Sequence, residues 1–266
     1  MELLSAITWG PDPEIFRIGN FAMRWYGLLF ALGFVVGNYI MVRIYTRENK
    51  NLKDLDELLL FMVLSVVIGA RLGHCIFYDP VYYFSNPIRI LKIWEGGLAS
   101  HGAAIAMLTA LYIYARKHPD QPYFWVADRI AITAALGGAF IRFGNLMNSE
   151  IIGRATGSDW GVIFTRLGED FPRHPTQVYE SLTNLLTFVI LLLTYNKYGA
   201  KTPHGLLTGL YLILVFSFRF LIEFFKENQE AWEQSLALNM GQLLSIPMIL
   251  VGAWLLRQAL SSKYPN

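Results

Sequence analysis

The chain has 266 residues, 54% of them hydrophobic and only 16% charged, where a soluble domain carries about 25% charged. Its apolar content fills about seven membrane spans of ~20 residues, which argues against a soluble enzyme, a disordered chain or a collagen-like repeat. The net charge of +2 is spread along the chain, so no nucleic-acid partner is expected, and the single Cys75 cannot form an internal disulfide.

Taken in order, the first 20 residues hold Glu2, Asp12 and Glu14 with Pro11 and Pro13, not the basic start and short apolar core of a cleaved signal peptide. Apolar runs and breakers then predict helical spans over 21–45, 58–77, 101–115, 124–143, 178–195, 205–225 and 240–256. The expectation is an all-α polytopic membrane protein with about seven transmembrane helices, folded as one integral membrane domain over 1–266. Gly33 with Gly37 and Gly205 with Gly209 have the spacing of close helix packing.

Arg24, Trp25 and Tyr26 open the first span, where Tyr26 reads either as an interfacial anchor or as a site residue. In the second span Arg71 lies between Gly69-Ala70 and Gly73-His74, the surroundings of a cavity-facing cation. Segment 79–100 is broken by Pro80, Asn86-Pro87 and Gly96-Gly97 but keeps Tyr82, Tyr83, Phe84 and Trp94, which predicts an interfacial or re-entrant stretch along one membrane face.

His101 follows that stretch among small residues and reads either as structural or as a proton acceptor. The fourth span exits through Arg142, Asn145, Asn148 and Glu150, the densest polar cluster, with Arg142 and Asn145 on one helical face. A guanidinium fork suits phosphate oxygens, while interhelical bonding is the alternative for the asparagines. The polar stretch 148–177 predicts a small extramembrane insert, too short for a second domain. Arg219 and Glu223 are four apart in the sixth span, either as a self-neutralising pair or as part of a site.

Short loops place Arg43, Arg47, Lys50 and Lys53, then Arg116 and Lys117, Lys197 and Lys201, and Arg257 and Lys263 on one side. The positive-inside rule then sets the N-terminus outside and the C-terminus in the cytoplasm. Zinc, Walker and nucleophile-elbow motifs are missing from the chain, so no metal and no cofactor is expected.

Arg142-x-Gly144-Asn145-x-x-Asn148-x-Glu150-x-x-Gly153 resembles the signature of the bacterial prolipoprotein diacylglyceryl transferase family. Trp25-Tyr26-Gly27, Gly96-Gly97-x-x-x-His101-Gly102, Arg173-His174-Pro175-x-Gln177-x-Tyr179-Glu180, Phe218-Arg219-x-x-x-Glu223-Phe224-Phe225 and Met240-Gly241-Gln242-x-x-Ser245-Ile246-Pro247 resemble it in the same order. Ile141 and Leu146 stand where the family usually has glycine and phenylalanine.

The resemblance implies an enzyme of the bacterial inner membrane, with 148–177 facing the periplasm. Its partners would be the bilayer, phosphatidylglycerol and preprolipoprotein signal peptides with a lipobox cysteine. It would move the diacylglyceryl group onto that cysteine, leaving a thioether and glycerol phosphate. Arg142 and Arg219 are then expected to stabilise charge on the departing phosphate, and His101 to accept the thiol proton. Tyr26, Arg71, Asn145, Asn148, Glu150, Gly153 and Glu223 are expected to bind or position substrate. A lipid-binding or transport protein, or a structural membrane subunit with fold-specifying charge pairs, is the alternative reading of the same buried charges.

Overall fold

The structure, a computed structural model, describes residues 6–19, 21–227 and 238–261. Glu2 and Lys263, used in the charge reading above, lie outside the described residues. The chain runs through β1 (Ile7–Trp9), β2 (Glu14–Ile18), β3 (Phe21–Arg24), α1 (Trp25–Arg47), α2 (Leu52–Phe77), α3 (Pro80–Ser85), α4 (Ser100–Lys117), α5 (Tyr123–Met147), β4 (Val162–Phe164), α6 (Thr176–Tyr198), α7 (Leu206–Ile222) and α8 (Met240–Ser261). Among the described residues six helices are long and apolar enough to cross a membrane: α1, α2, α5, α6, α7 and α8. The protein is therefore a multi-pass membrane protein.

Two details depart from the all-α expectation of about seven spans. Among the described residues there are four short strands, and β3 takes Phe21–Arg24 out of the first predicted span. The third predicted span is helical as α4, but its 18 residues include Ser100, His101, Thr109, Arg116 and Lys117, which leave it less apolar than the other six.

The chain divides into two compact units, Met41–Ala127 and Met1–Ile40 with Asp128–Asn266. In the first, α2 and α4 pack through small residues. A Cβ added to Gly69 would lie 2.3 Å from the Ala106 Cβ, and one on Gly73 would lie 2.7 Å from the Gly102 Cα. Close backbone approach of this kind replaces the hydrophobic drive that helices lack in lipid. α2 starts six residues before the apolar run because the Asn51 side chain accepts from the Lys53 N–H and caps it. Near that end Tyr45 and Tyr114 both donate to Gln121 Oε1, at 2.8 and 2.7 Å, and Gln121 Nε2 donates to Asp54 at 2.8 Å.

At the opposite end of α2, segment 80–95 forms α3 and two 3-10 turns. It leaves Val81, Phe84, Ile88, Leu91 and Trp94 uncovered by protein, as the interfacial expectation requires.

In the second unit Gly33 and Gly37 of α1 face Gly137 and Thr133 of α5, and Gly209 of α7 faces Gly252 of α8. The two predicted small-residue stripes thus supply packing surface, except that Gly205 instead precedes α7 with φ +86°, a conformation glycine adopts without strain. The buried Asp128 accepts from the backbone N–H groups of Gly205 and Thr208, each at 2.8 Å. A carboxylate from α5 thereby satisfies the amino end of α7. Outside the helices β1 pairs in parallel with β4, and β2 with β3 as a hairpin.

Candidate active site

The site grows from the carboxyl end of α5, where the helix stops needing lipid-facing residues and turns polar. Arg142 Nη1 donates to Asn145 Oδ1 at 3.4 Å, Asn145 Nδ2 to Glu150 Oε2 at 3.3 Å, and Asn148 Nδ2 to Glu150 Oε1 at 3.1 Å. The chain returns sharply enough for this because Ser149 and Ile151 both take φ +55°. Thr176 Oγ1 then holds the Ile151 carbonyl and Gln177 Nε2 the Glu150 carbonyl, at 3.0 and 2.6 Å. Gly144 gives room for Tyr26, since a Cβ there would lie 2.9 Å from the Tyr26 ring.

Arg142 leads into a row of alternating charges. Its Nε lies 3.1 Å from Glu180 Oε2 on α6, and Glu180 Oε1 lies 2.8 Å from Lys226 Nζ. Lys226 Nζ is 3.0 Å from Glu223 Oε1, which lies 3.7 Å from Arg219 Nε. The three inner side chains are at most 9% exposed, whereas the side chains of Arg142 and Arg219 are 23% and 38% exposed. Buried charges persist where partners surround them, so the inner trio is a fixed support and the two arginines are its more open ends.

The Arg219 pair expected from spacing is present but loose, and Arg219 Nε has no hydrogen-bond partner among the described residues. Glu223 is held instead by Lys226 and by Asn239 Nδ2 at 3.1 Å. A Cβ on Gly241 would sit 2.5 Å from that carboxylate, so the start of α8 also needs its glycine.

The insert closes over this row. Gly153 N donates to the His174 carbonyl and Arg154 N to the Phe225 carbonyl, while Arg154 Nε donates to the Lys226 carbonyl at 2.8 Å. Arg173 grips Glu169 through two bonds of 2.6 and 2.7 Å and also reaches the Gly153 carbonyl. Its bonds to Glu169 raise its affinity for its proton, while burial lowers that of the His174 imidazole.

The structure thus brings Tyr26, Arg142, Asn145, Asn148, Glu150, Gly153, Arg219 and Glu223 into one unit. Arg71 and His101 belong to the other. Arg71 is not cavity-facing there: it is 4% exposed, and its Nε and Nη1 donate to the Ile90 and Gly96 carbonyls at 2.9 and 2.6 Å, with Nη2 on the Arg89 carbonyl. Backbone acceptors account for its burial, so it is a clamp on segment 89–97. His101 sits exposed at the start of α4, its ring centroid 5.0 Å from that of Phe77.

Two members of the row carried no role in the sequence reading. Glu180 stood inside a quoted motif, four residues after the start of the apolar helix α6. Lys226 is the first polar residue after Phe224-Phe225 and lies three residues beyond Glu223. That spacing was the available signal.

The family model described as prolipoprotein diacylglyceryl transferase matches residues 13–258. Curated relatives described as phosphatidylglycerol–prolipoprotein diacylglyceryl transferase include those of Tolumonas auensis, 48% identical over 92% of this chain and 95% of the relative, and of Chloroherpeton thalassium, 47% identical over 97% and 96%. That of Porphyromonas gingivalis is 42% identical over 98% of both chains. With the match running nearly end to end and every residue of the Arg142-to-Gly153 motif placed around one charged row, this chain belongs to the prolipoprotein diacylglyceryl transferase family.

Proposed function

We propose that the protein transfers the diacylglyceryl group of phosphatidylglycerol to the lipobox cysteine thiol of preprolipoproteins. The sulfur attacks the glycerol carbon, a carbon–sulfur bond forms, and the carbon–oxygen bond to phosphate breaks with its electron pair left on the departing glycerol phosphate. The observation that carries this reading is the row Arg142–Glu180–Lys226–Glu223–Arg219, which holds two partly exposed arginines at the ends of a buried, paired trio. Fixed cations aimed at developing charge in a dry site lower a barrier without reorganising during the reaction.

Arg142 and Arg219 bind the phosphate and stabilise the charge that gathers on it. Glu223 positions Arg219, and Asn145, Asn148 and Glu150 hold the glycerol end of the headgroup. Tyr26, packed on Gly144, positions the lipid, and Gly153 lets the insert lie close over the row. Arg71 acts through segment 89–97, which it holds in place. His101 takes the thiol proton, since an exposed imidazole is the residue type suited to that transfer.

We place the N-terminus outside and the C-terminus in the cytoplasm of the bacterial inner membrane. The direction rests on the basic short loops, and the pairing of β1 with β4 adds only that both ends of the stretch from α1 to α5 share one side. An even number of crossings is then needed, so α4 crosses with α1, α2 and α5. The loops holding the Lys and Arg residues counted above fall inside, and insert 148–177 faces the periplasm.

The test is mass spectrometry of a lipobox peptide incubated with purified protein and phosphatidylglycerol. One diacylglyceryl group on cysteine is expected with the wild type, and a rate about 100-fold lower or less with Arg142→Ala. No adduct from well-folded protein that still binds phosphatidylglycerol would replace the enzyme by a lipid carrier. His101→Asn is expected to slow transfer at least ~100-fold, and near-normal turnover would end the assignment of a base there.

A further inference from the structure

The polar cavity next to the site includes two cations, Arg24 and Arg166, that have no task in the reaction as written above. It measures about 260 Å³ and is lined by Asp12, Glu14, Arg24, Arg166, Asn148 and Glu150. The last two connect it to Arg142 through Asn145. Arg24 comes from the end of β3 and Arg166 from the 3-10 turn after β4, so the hairpin and the insert each supply one cation.

The cavity's carboxylates already have protein donors. Glu14 takes Arg17 at 2.6 and 2.8 Å, Asp12 accepts the Glu14 N–H at 2.9 Å, and the two Glu150 oxygens accept from Asn145 and Asn148. The guanidiniums are less engaged. Arg24 lies 3.6 Å from Glu14 with its side chain 61% exposed, and Arg166 makes a long 3.4 Å bond to the Pro11 carbonyl. The Asn148 Oδ1 is buried and has no hydrogen-bond partner among the described residues. What remains on offer is two cations and one acceptor.

The charge row has three cations and two anions, a net +1 that matches the single negative charge of a phosphodiester. Cleavage converts that diester into a monoester of about −1.5 to −2. The product therefore carries more charge than the row balances. Around the cavity Arg17, Arg24 and Arg166 offset Asp12, Glu14 and Glu150, so it is neutral overall, and its two lightly engaged guanidiniums are the groups able to turn to the product. We propose that this cavity seats the leaving polyol phosphate, with Arg24 and Arg166 on the phosphate and Asn148 Oδ1 accepting from a hydroxyl. The assignment rests on the transferase reading.

The experiment is product inhibition of the full-length enzyme in phosphatidylglycerol-containing micelles with a lipobox peptide. Glycerol phosphate, glycerol and inorganic phosphate are added separately. Glycerol phosphate is expected to inhibit, and Arg24→Gln and Arg166→Gln are each expected to raise its inhibition constant about tenfold, as loss of a charge-assisted contact does. The KM for the lipid should change less than about twofold, because the diester is held by the row. Both residues are exposed, so unchanged thermal unfolding controls for folding.

An inhibition constant unchanged in both variants, with normal transfer, overturns the seat and leaves the transferase intact. A lipid KM rising in step with the inhibition constant overturns the product assignment, because the intact headgroup then uses the cavity. If the wild type transfers nothing, the transferase reading has failed by itself. Calorimetric binding of glycerol phosphate then decides the seat: weaker binding by Arg166→Gln keeps it as a polyol-phosphate site, and equal or absent binding removes it.

Discussion

Lys226 Nζ lies 2.8 Å from Glu180 Oε1, and both side chains are more than nine-tenths buried. Lys226 also touches Glu223, so one ammonium keeps two buried carboxylates from facing each other uncompensated. Replacing it by methionine of similar length should destabilise the protein by about 3 kcal/mol or more, as breaking buried pairs does. Thermal unfolding in detergent measures this. The double variant Lys226→Met with Glu180→Gln should recover part of the loss, and full additivity of the two changes would count against a shared network.

Exchanging Arg219 and Glu223 separates a positioned cation from a mere pair. In the exchanged protein the arginine at 223 would stand where a carboxylate now lies 3.0 Å from Lys226 Nζ. Transfer should fall at least ~100-fold, with the partly exposed arginine gone from 219. Retained activity in the exchanged protein would return Arg219 and Glu223 to a structural role.

Gly153 tests the seating of the insert. A Cβ there would come within 2.4 Å of the His174 carbonyl oxygen and 2.9 Å of that of Phe225. Neither backbone acceptor can rotate away, so Gly153→Ala should cost about 1–3 kcal/mol of overpacking and lower transfer. Gly27→Ala is the matched control, because a Cβ at Gly27 meets nothing within 4 Å. Equal effects of the two substitutions on unfolding would contradict the close approach.

His174 sets a pH window. Burial lowers its affinity for protons in the folded protein, with Trp160 and Phe225 rings at centroid distances of 5.1 and 5.0 Å. The unfolded chain, with its histidine near pH ~6.5, binds protons more readily. The sign follows: the stabilisation is complete above about pH 6.5 and is lost as pH falls through the lower folded value. Unfolding temperature should drop as pH falls below about 6.5 in the wild type and less so in His174→Gln. Identical slopes would remove the assignment.

Helix spans were readable because lipid admits few alternatives to a continuous apolar helix. Their ends were not, since hydropathy marks the slab and not the hydrogen-bond ladder. Lys53, Asp54, Asp56 and Glu57 read as loop yet belong to α2 once Asn51 caps it. The strands escaped notice for a different reason: β1 and β4 have three residues each, too few for an alternating pattern, and their partners are remote in sequence. In the site, Arg142, Asn145 and Asn148 were legible as polar residues ending an apolar helix. Glu180 on α6 and Lys226 beyond the end of α7 gain their meaning from each other, and the local spacing of Lys226 from Glu223 does not say that the two meet.

The strand β1 also imposes an order of events on synthesis. Trp9 Nε1 donates to the Leu146 carbonyl 137 positions later, and the Trp9 carbonyl accepts from Thr165 a further turn along the insert. A ribosome delivers Trp9 long before either partner exists, so the leading strand waits while α1 to α5 enter the bilayer. Loop-closure entropy makes such distant pairing slow, and it locks in only once the insert has emerged. The β1–β4 pair, which carries Arg166 just beyond it, is therefore completed late, after most of the membrane crossings are in place, whereas the local β2–β3 hairpin with Arg24 has no such wait.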